Sequence, residues 1–348
     1  MIGMLMEEMI DYIMKYPEMI RDSINVTKAS KLPIYDFDRI LVCGMGGSAI
    51  GGDMLSDVLN GFGIQVEVSR RYDLPKYVDK DTIVFIVSYS GNTEETLSQF
   101  VESKKLGLNI IAISSDGRLC KWCNELDIPF VQLPVGFQPR AALPYLFFPM
   151  LEYVQSAKNL EVSDDIKETL EVLENLRMDR EKLNEIRRIA SICKGSRINV
   201  YGPEYLESAI KRLKCQINEN SKLPSSWAVF PELNHNEIVG YEDNLKNNDD
   251  YVILLRDTEE SPAIMTRIDA TRDIIQDRSK GIIQIYSEGK SDICKVISLS
   301  FLGDILSFYL AKEEGKSPLK AENIDKLKSI LRNELNVQEK LEKELKES

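Results

Sequence analysis

The chain has 348 residues, enough for two α/β domains of about 150 residues each, and 43% of its residues are hydrophobic. Its formal net charge of -12 argues against a protein that binds by neutralising the phosphates of a nucleic acid or an anionic membrane. No stretch approaches the roughly 18 to 20 uninterrupted apolar residues of a membrane span. The six cysteines are too sparse for a disulfide scaffold, so we expect a cytoplasmic protein with reduced thiols.

The first half of the chain alternates between short apolar runs and helix-length stretches. Residues 1–20 are apolar at helical spacing and predict an N-terminal amphipathic helix. The apolar runs that follow are each succeeded by a turn cluster, which is typical of a parallel sheet flanked by helices. The predicted strands are 40–43, 65–68, 83–87, 110–113 and 130–133, and a buried helix follows over 141–157.

The second half repeats this pattern less clearly. Strands are predicted near 197–201, 226–229, 251–255 and 281–286, with a buried helix over 301–313 and a charged amphipathic tail over 327–346. The sequence therefore predicts an α/β fold with two similar domains, each a parallel sheet flanked by helices. The predicted bounds are 1–20 for the N-terminal helix, 21–158 and 159–332 for the domains, and 333–348 for a C-terminal helical extension.

A glycine-rich segment, 44–53, directly follows the first predicted strand. Glycines let backbone amides approach a ligand closely, and the N-terminus of the next helix favours an anion. Gly44, Gly46 and Ala49 also satisfy the dinucleotide pattern G-x-G-x-x-[GA], with Glu67 about twenty residues further on. An NAD-binding oxidoreductase is therefore an alternative at this point, and a titration with NAD would test it.

A hydroxyl-rich segment follows the predicted strand 83–87. Ser88, Ser90 and Thr93, with Gly91 in the turn, offer donors for one phosphate at the start of a helix. The alternative is an ordinary serine or threonine helix cap. Because neighbouring parallel strands end at one crevice, this segment and the glycine-rich segment can address the same ligand.

Three further side chains are candidates for acid and base chemistry. Glu219, flanked by Asn218 and Asn220 on a predicted helix, fits a positioned general base, although a solvated helix-face glutamate is the alternative. His235 is the only histidine, in a polar loop, and can exchange a proton near neutral pH or simply lie on the surface. Arg140 begins the buried helix and could stabilise an oxyanion or form an ion pair.

The single histidine argues against a catalytic zinc site built from several imidazole and carboxylate ligands. We therefore expect acid and base chemistry alone, with no metal and no cofactor.

The order and spacing of these motifs resemble the bifunctional phosphoglucose/phosphomannose isomerase family. That family belongs to the phosphoglucose isomerase superfamily and is built from two sugar isomerase domains. The matching segments are 44–52, 88–96, 139–140, 218–220 and 231–237.

The resemblance assigns a role to each candidate residue. It implies that Ser88, Ser90 and Thr93 hold the substrate phosphate, and that Gly46, Gly47 and Ser48 line the sugar. It implies that Arg140 stabilises an enediolate, and that Glu219 moves the proton between C1 and C2. It matches His235 to ring opening together with a C-terminal lysine, best placed at Lys328, with Lys326 and Lys320 as alternatives.

The implied function is a metal-independent isomerase that interconverts glucose 6-phosphate, fructose 6-phosphate and mannose 6-phosphate through ring opening and a cis-enediolate. The resemblance also implies that the protein is a homodimer and that it binds a small sugar phosphate as its substrate. A non-catalytic sugar-phosphate-binding protein on the same fold is a second alternative. Glu219 and His235 argue against it, because a sensor needs no proton carrier.

Overall fold

The computed structural model describes residues 2–242 and 250–347. Contacts group the chain into two compact units that differ from the predicted domains at their ends. The five-stranded unit comprises Glu18–Val162 and Ala321–Ser348, and the four-stranded unit comprises Met1–Pro17 and Ser163–Lys320. The start of the chain therefore joins the second half, and the tail joins the first.

The described helices are α1 (Ile2–Met14), α2 (Tyr16–Ala29), α3 (Gly47–Asn60), α4 (Glu94–Lys105), α5 (Gly117–Glu125), α6 (Leu143–Lys158), α7 (Ser163–Met178), α8 (Arg180–Cys193), α9 (Glu207–Gln216), α10 (Pro262–Ile275), α11 (Asp292–Glu313), α12 (Glu322–Leu335) and α13 (Val337–Glu347). The described strands are β1 (Arg39–Cys43), β2 (Val66–Ser69), β3 (Thr82–Val87), β4 (Asn109–Ser114), β5 (Phe130–Gln132), β6 (Ile198–Pro203), β7 (Ser225–Phe230), β8 (Tyr251–Arg256) and β9 (Gly281–Tyr286).

The five-stranded sheet is parallel throughout, with the order β2-β1-β3-β4-β5. Every residue of its central strand β3 is buried, as expected for a parallel strand covered by helices on both faces. The predicted buried helix over 141–157 is α6, preceded by a 3-10 turn at Pro139–Ala141. The positions of the five predicted strands are confirmed to within one residue at either end.

The four-stranded sheet is also parallel, with the order β7-β6-β8-β9. If β6 is counted as its first strand, the order is 2-1-3-4. The five-stranded sheet has the same order with a fifth strand added at the edge. The two sheets confirm the predicted α/β class of two parallel sheets flanked by helices. The predicted N-terminal helix over 1–20 spans the junction at Lys15 between α1 and α2.

Helix α11 forms the centre of the helical layer of the four-stranded unit, where it packs against α1, α7, α8 and α9. Among the described residues it alone is long and apolar enough to cross a membrane, but 94% of its most apolar window is buried inside the protein. Buried core helices of globular proteins can be equally long and apolar. Burial in the unit therefore accounts for its composition.

The C-terminal extension packs onto the five-stranded unit. Leu341 and Leu345 of α13 are buried in a cluster with Leu97 and Phe100 of α4 and Trp122 of α5. The sequence predicted an amphipathic tail here, and its apolar side covers the helices that follow β3 and β4.

Candidate active site

The carboxyl ends of β1 and β3 form the switch point of the five-stranded sheet, where the strand order reverses. Ligands of such sheets bind in the crevice outside this point. The glycine-rich segment follows β1 and the hydroxyl-rich segment follows β3, so the two flank one crevice. They also touch, because the Oγ of Ser48 accepts the backbone N–H of Tyr89 at 3.4 Å.

The hydroxyls of the second segment gather at the start of α4. The Oγ of Ser88 lies 2.9 Å from the Oγ1 of Thr93, and Ser88 is only 1% exposed. Thr93 occupies the N-cap position of α4, but its side chain makes no capping hydrogen bond. The ordinary-cap interpretation is therefore incomplete: the Thr93 hydroxyl lies beside another hydroxyl, at a helix end whose first N–H groups favour an anion.

Gly91 fixes the shape of this turn. Its φ of 64° is a conformation that side-chain-bearing residues rarely adopt, and a Cβ there would lie 1.7 Å from the carbonyl oxygen of Asp116. The exposed Ser90 accepts the N–H of Asn92 at 3.4 Å in the same turn. The turn between β3 and α4 therefore has little freedom to rearrange.

Arg140 lies beside the glycine-rich segment. A Cβ on Gly47 would come within 2.9 Å of the carbonyl oxygen of Pro139 and 3.4 Å of the Cα of Arg140. Glycine at 47 therefore serves the close approach of α3 to the Pro139–Ala141 turn, whereas Gly46 is required by its φ of 52°. Arg140 itself is buried, at 5% exposure. The five-stranded unit thus brings Gly46, Gly47, Ser48 and Arg140 together near the hydroxyl-rich turn.

Lys328 lies on α12, which has no buried residue, and its side chain is exposed. Arg332 lies one helical turn further along, and its charge affects the carboxylate of Glu94 at the start of α4. Burial and then Glu95 raise the pKa of Glu94, and the charge of Arg332 opposes them. Lys328 and Arg332 share a face because they are four residues apart.

Glu219 lies in a π-helical turn, Ile217–Ser221, that directly continues α9. Such turns are rare and frequently occur at functional sites. The Nδ2 of Asn218 donates to the carbonyl of Leu223 at 2.7 Å, and the Nδ2 of Asn220 donates to the Oγ of Ser307 at 2.9 Å. The flanking amides, expected to orient the carboxylate, therefore also anchor the turn that carries it.

Lys222 closes the same turn from the other side. Its φ of 62° is left-handed, and its Nζ donates to the carbonyls of Glu219 and Lys320, the latter at 2.7 Å. Of the three candidate lysines, Lys320 thus has its backbone beside the Glu219 turn, whereas Lys326 and Lys328 belong to α12.

His235 is exposed on a 3-10 turn, Glu232–His235, that follows β7. The buried Leu233 anchors this turn in the core. Asn234 donates to the Oγ1 of Thr271 on α10 at 2.7 Å, and Asn236 accepts the N–H of Glu237 at 2.8 Å. The two asparagines therefore fix the turn that presents the imidazole.

Glu219 and His235 lie on opposite faces of the four-stranded sheet. The crossovers through α9 and through α10 step across the sheet in opposite directions, so right-handed connections place these helices on opposite faces. The Glu219 turn is bound to α11 on the α9 face, and the His235 turn is bound to α10. The six residues of β7 also separate the two turns, a strand length of about 20 Å. One chain therefore does not bring these two side chains together.

Comparison with known proteins gives the family. Residues 33–121 match the SIS domain family, and residues 182–331 match the bacterial phospho-glucose isomerase C-terminal SIS domain. The chain is 38% identical over 334 residues to a bifunctional phosphoglucose/phosphomannose isomerase of Caldicellulosiruptor bescii, which covers 93% of this chain and 98% of the relative. The chain belongs to the bifunctional phosphoglucose/phosphomannose isomerase family. The predicted family is thereby confirmed.

A second relative agrees with this assignment, and a solved structure has a similar fold. A bifunctional phosphoglucose/phosphomannose isomerase of Aquifex aeolicus is 35% identical, over 85% of this chain and 91% of its own length. The C-terminal domain of glucosamine-fructose-6-phosphate aminotransferase from Francisella tularensis superposes with a TM-score of 0.68 at 16% identity, over 88% of this chain and 96% of that chain. The structural likeness shows the fold alone.

The four-stranded sheet of this family member does not repeat the hydroxyl-rich turn at its own switch point. The loop after β8 carries Asp257 and Glu259, whose carboxylates lie 3.0 and 2.8 Å from the Nζ of Lys295. Lys295 and Asp257 are both buried. Ion pairs within the protein thus occupy the place that corresponds to the Ser88–Thr93 turn.

The dinucleotide interpretation fits this family member poorly. The order β2-β1-β3 differs from the 3-2-1 order of dinucleotide-binding sheets. Glu67, the acidic residue of the dinucleotide pattern, accepts a hydrogen bond from the hydroxyl of Tyr77. Burial raises the pKa of the Cys120 and Cys123 thiols, as is typical of structural rather than reactive cysteines. Among residues 2–242 and 250–347, no group of three or more His, Cys, Asp or Glu side chains is arranged to hold a metal ion.

Proposed function

We propose that this chain is a cytoplasmic aldose–ketose isomerase that interconverts glucose 6-phosphate, fructose 6-phosphate and mannose 6-phosphate. Family membership along nearly the whole chain is the observation that carries the proposal. The two SIS-domain matches agree with it.

The substrate phosphate binds to Ser88, Ser90 and Thr93 in this proposal. The adjacent hydroxyls of Ser88 and Thr93 and the N-terminus of α4 support this role, since both offer donors to an anion. The contact of Ser48 with the same turn supports a place for the sugar against Gly46, Gly47 and Ser48.

The chemistry needs no more than proton transfers. A cyclic hexose 6-phosphate must open before it can isomerise, and His235 with Lys328 carries the protons of that step. Glu219 then removes the C2 hydrogen, which is acidic because the adjacent carbonyl takes up charge, and returns it to C1. Arg140 stabilises the enediolate oxygen, since its positive charge does not depend on pH in the working range.

Dual specificity follows from the same base. If the enediolate rotates about the bond from C2 to C3, Glu219 can reprotonate either face of C2. Glucose 6-phosphate and mannose 6-phosphate then arise from one intermediate without a second catalytic site.

We further propose that the working enzyme is a homodimer. The opposite-face positions of Glu219 and His235 support this, because a single sugar phosphate is too small to contact both side chains of one chain. In each site, Glu219 of one protomer then acts as the base, and the partner's His235 assists ring opening. A two-fold dimer gives two equivalent sites of this composition.

A coupled assay tests the proposed function. With fructose 6-phosphate as substrate we expect both glucose 6-phosphate and mannose 6-phosphate as products, at rates that a metal chelator leaves unchanged. Binding of fructose 6-phosphate without any turnover would instead indicate the non-catalytic sugar-phosphate-binding alternative. Loss of activity with chelator, restored by a divalent metal, would contradict the metal-independent mechanism.

Replacing Thr93 with alanine should mainly weaken substrate binding. A hydrogen bond to a charged group contributes about 1.5–3 kcal/mol, so we expect KM for fructose 6-phosphate to rise by about tenfold or more with a smaller change in kcat. Ser98→Ala, which removes a hydroxyl further along the same helix, is the matched control and should leave KM unchanged. An unaltered KM in Thr93→Ala would place the phosphate elsewhere.

A further inference from the structure

A buried polar network joins α9 to α11 beside the turn that carries Glu219. Asp304 of α11 is fully buried and accepts four hydrogen bonds. Arg212 donates from Nε at 3.0 Å and from Nη2 at 2.6 Å, Gln216 donates from Nε2 at 2.7 Å, and the hydroxyl of Tyr16 also donates. Both carboxylate oxygens of Asp304 therefore accept hydrogen bonds, and the contact with Arg212 is bidentate.

The network continues along the helix into the π-helical turn. Arg212, Gln216 and Asn220 are spaced four residues apart, so they form one stripe on the side of α9 that faces α11. The last of the three donates to the Oγ of Ser307, and Ser221 donates to the carbonyl of Ser307 at 2.9 Å. Ser307 in turn donates to the carbonyl of Asp304 at 2.8 Å. The hydrogen bonds from Arg212, Gln216 and Asn220 therefore hold α9 and its π-helical turn at one rotation relative to α11.

A network of this kind is poorly explained by stability alone. Desolvation of a buried ion pair offsets most of its attraction, so well-packed apolar residues are often as stable. Its best-attested use is to fix the register of packed elements. Burial raises the pKa of Tyr16. Burial lowers the pKa of Arg212, but its contact with Asp304 outweighs burial and raises it.

We propose that Asp304, through Arg212 and Gln216, and Ser307, through Asn220, are positioning residues that set the direction of the Glu219 carboxylate. This inference rests on the proposed role of Glu219 as the proton carrier. The bidentate contact fixes the rotation of α9, and the Ser307 contacts fix the widened turn that follows it. None of these residues needs to touch the substrate.

Conservative substitutions test the proposal without removing the buried charges. Arg212→Lys keeps the ion pair with Asp304 but loses the planar bidentate contact. Ser307→Ala removes the acceptor of Asn220. Because a displacement of about 1 Å at a catalytic group can cost about a hundredfold, we expect kcat to fall by about tenfold or more in Arg212→Lys, with KM nearly unchanged. A smaller loss of kcat is expected in Ser307→Ala.

The matched control lies at the other end of α11. Lys295→Arg alters a second buried ion pair on this helix, with Asp257 and Glu259, and should leave kcat unchanged. Thermal unfolding of all variants separates a loss of positioning from a loss of folded protein. If Arg212→Lys fails to fold, Ser307→Ala decides alone.

The outcomes separate this proposal from the one on which it rests. Normal kcat in folded Arg212→Lys and Ser307→Ala, alongside an inactive Glu219→Gln, overturns the positioning role only. A raised KM with normal kcat also overturns it, since the network would then act on binding. Normal turnover of Glu219→Gln itself overturns the proton-carrier role and this inference with it.

Discussion

Replacing Glu219 with glutamine is expected to lower kcat for fructose 6-phosphate by at least about a hundredfold, the usual contribution of a positioned acid or base group. The amide keeps the size of the side chain but cannot accept the C2 proton. Substrate binding should persist, so KM should change little. Steady-state kinetics on both aldose products measures the effect, and exchange of the C2 hydrogen with solvent should be lost in parallel.

The control for this substitution is Glu207→Gln at the opposite end of α9. Glu207 forms an ion pair with Lys211, and we expect its neutralisation to leave kcat unchanged. Turnover of Glu219→Gln close to that of the wild type would remove Glu219 from the mechanism and point to another base.

Mixing two inactive variants should restore activity if the sites are shared between subunits. His235→Ala is expected to lower turnover of cyclic substrate by roughly a hundredfold, since ring opening loses a positioned proton carrier. In a mixed dimer of Glu219→Gln and His235→Ala, one site contains both substitutions and the other contains both wild-type residues. Random exchange of subunits then gives about a quarter of the wild-type activity.

The double variant Glu219→Gln/His235→Ala provides the control for this experiment. Mixed with Glu219→Gln, it leaves no site with an intact glutamate, so no activity should return. Native mass spectrometry of differently tagged chains verifies that subunits have exchanged. Exchange without recovery would show that each site draws both residues from one chain, contrary to the proposed dimer.

Local patterning was sufficient for most of the secondary structure. The all-apolar run of β3 and the alternation of strands with helix-length stretches are properties of neighbouring residues, which the sequence states directly. The glycine-rich and hydroxyl-rich segments were likewise placed correctly after β1 and β3, since parallel strands lead into their turns in sequence order. The family resemblance rested on the same short segments.

The roles of individual side chains were less predictable. The amides of Asn218 and Asn220, expected to orient Glu219, donate to Leu223 and Ser307 and so anchor the turn that carries it. The asparagines around His235 similarly hold their own turn together. Amide side chains bind whichever partners the fold brings within reach, so their neighbours in sequence are a weak guide to their function. The roles proposed for the site residues accordingly remain predictions that the substitutions above will test.

The amino-acid sequence by itself determined the α/β class, the strands, the two turns at the β1 and β3 ends and the family, because these depend on contiguous residues. Only the tertiary structure decided that the start of the chain belongs to the four-stranded unit and its tail to the five-stranded unit. It also decided that Glu219 and His235 lie on opposite faces of one sheet, and that Arg212 contacts Asp304. The last two residues are 92 positions apart. Their contact, like the order of strands in a sheet, is set by packing between distant segments, and no local pattern of hydrophobicity or charge encodes it.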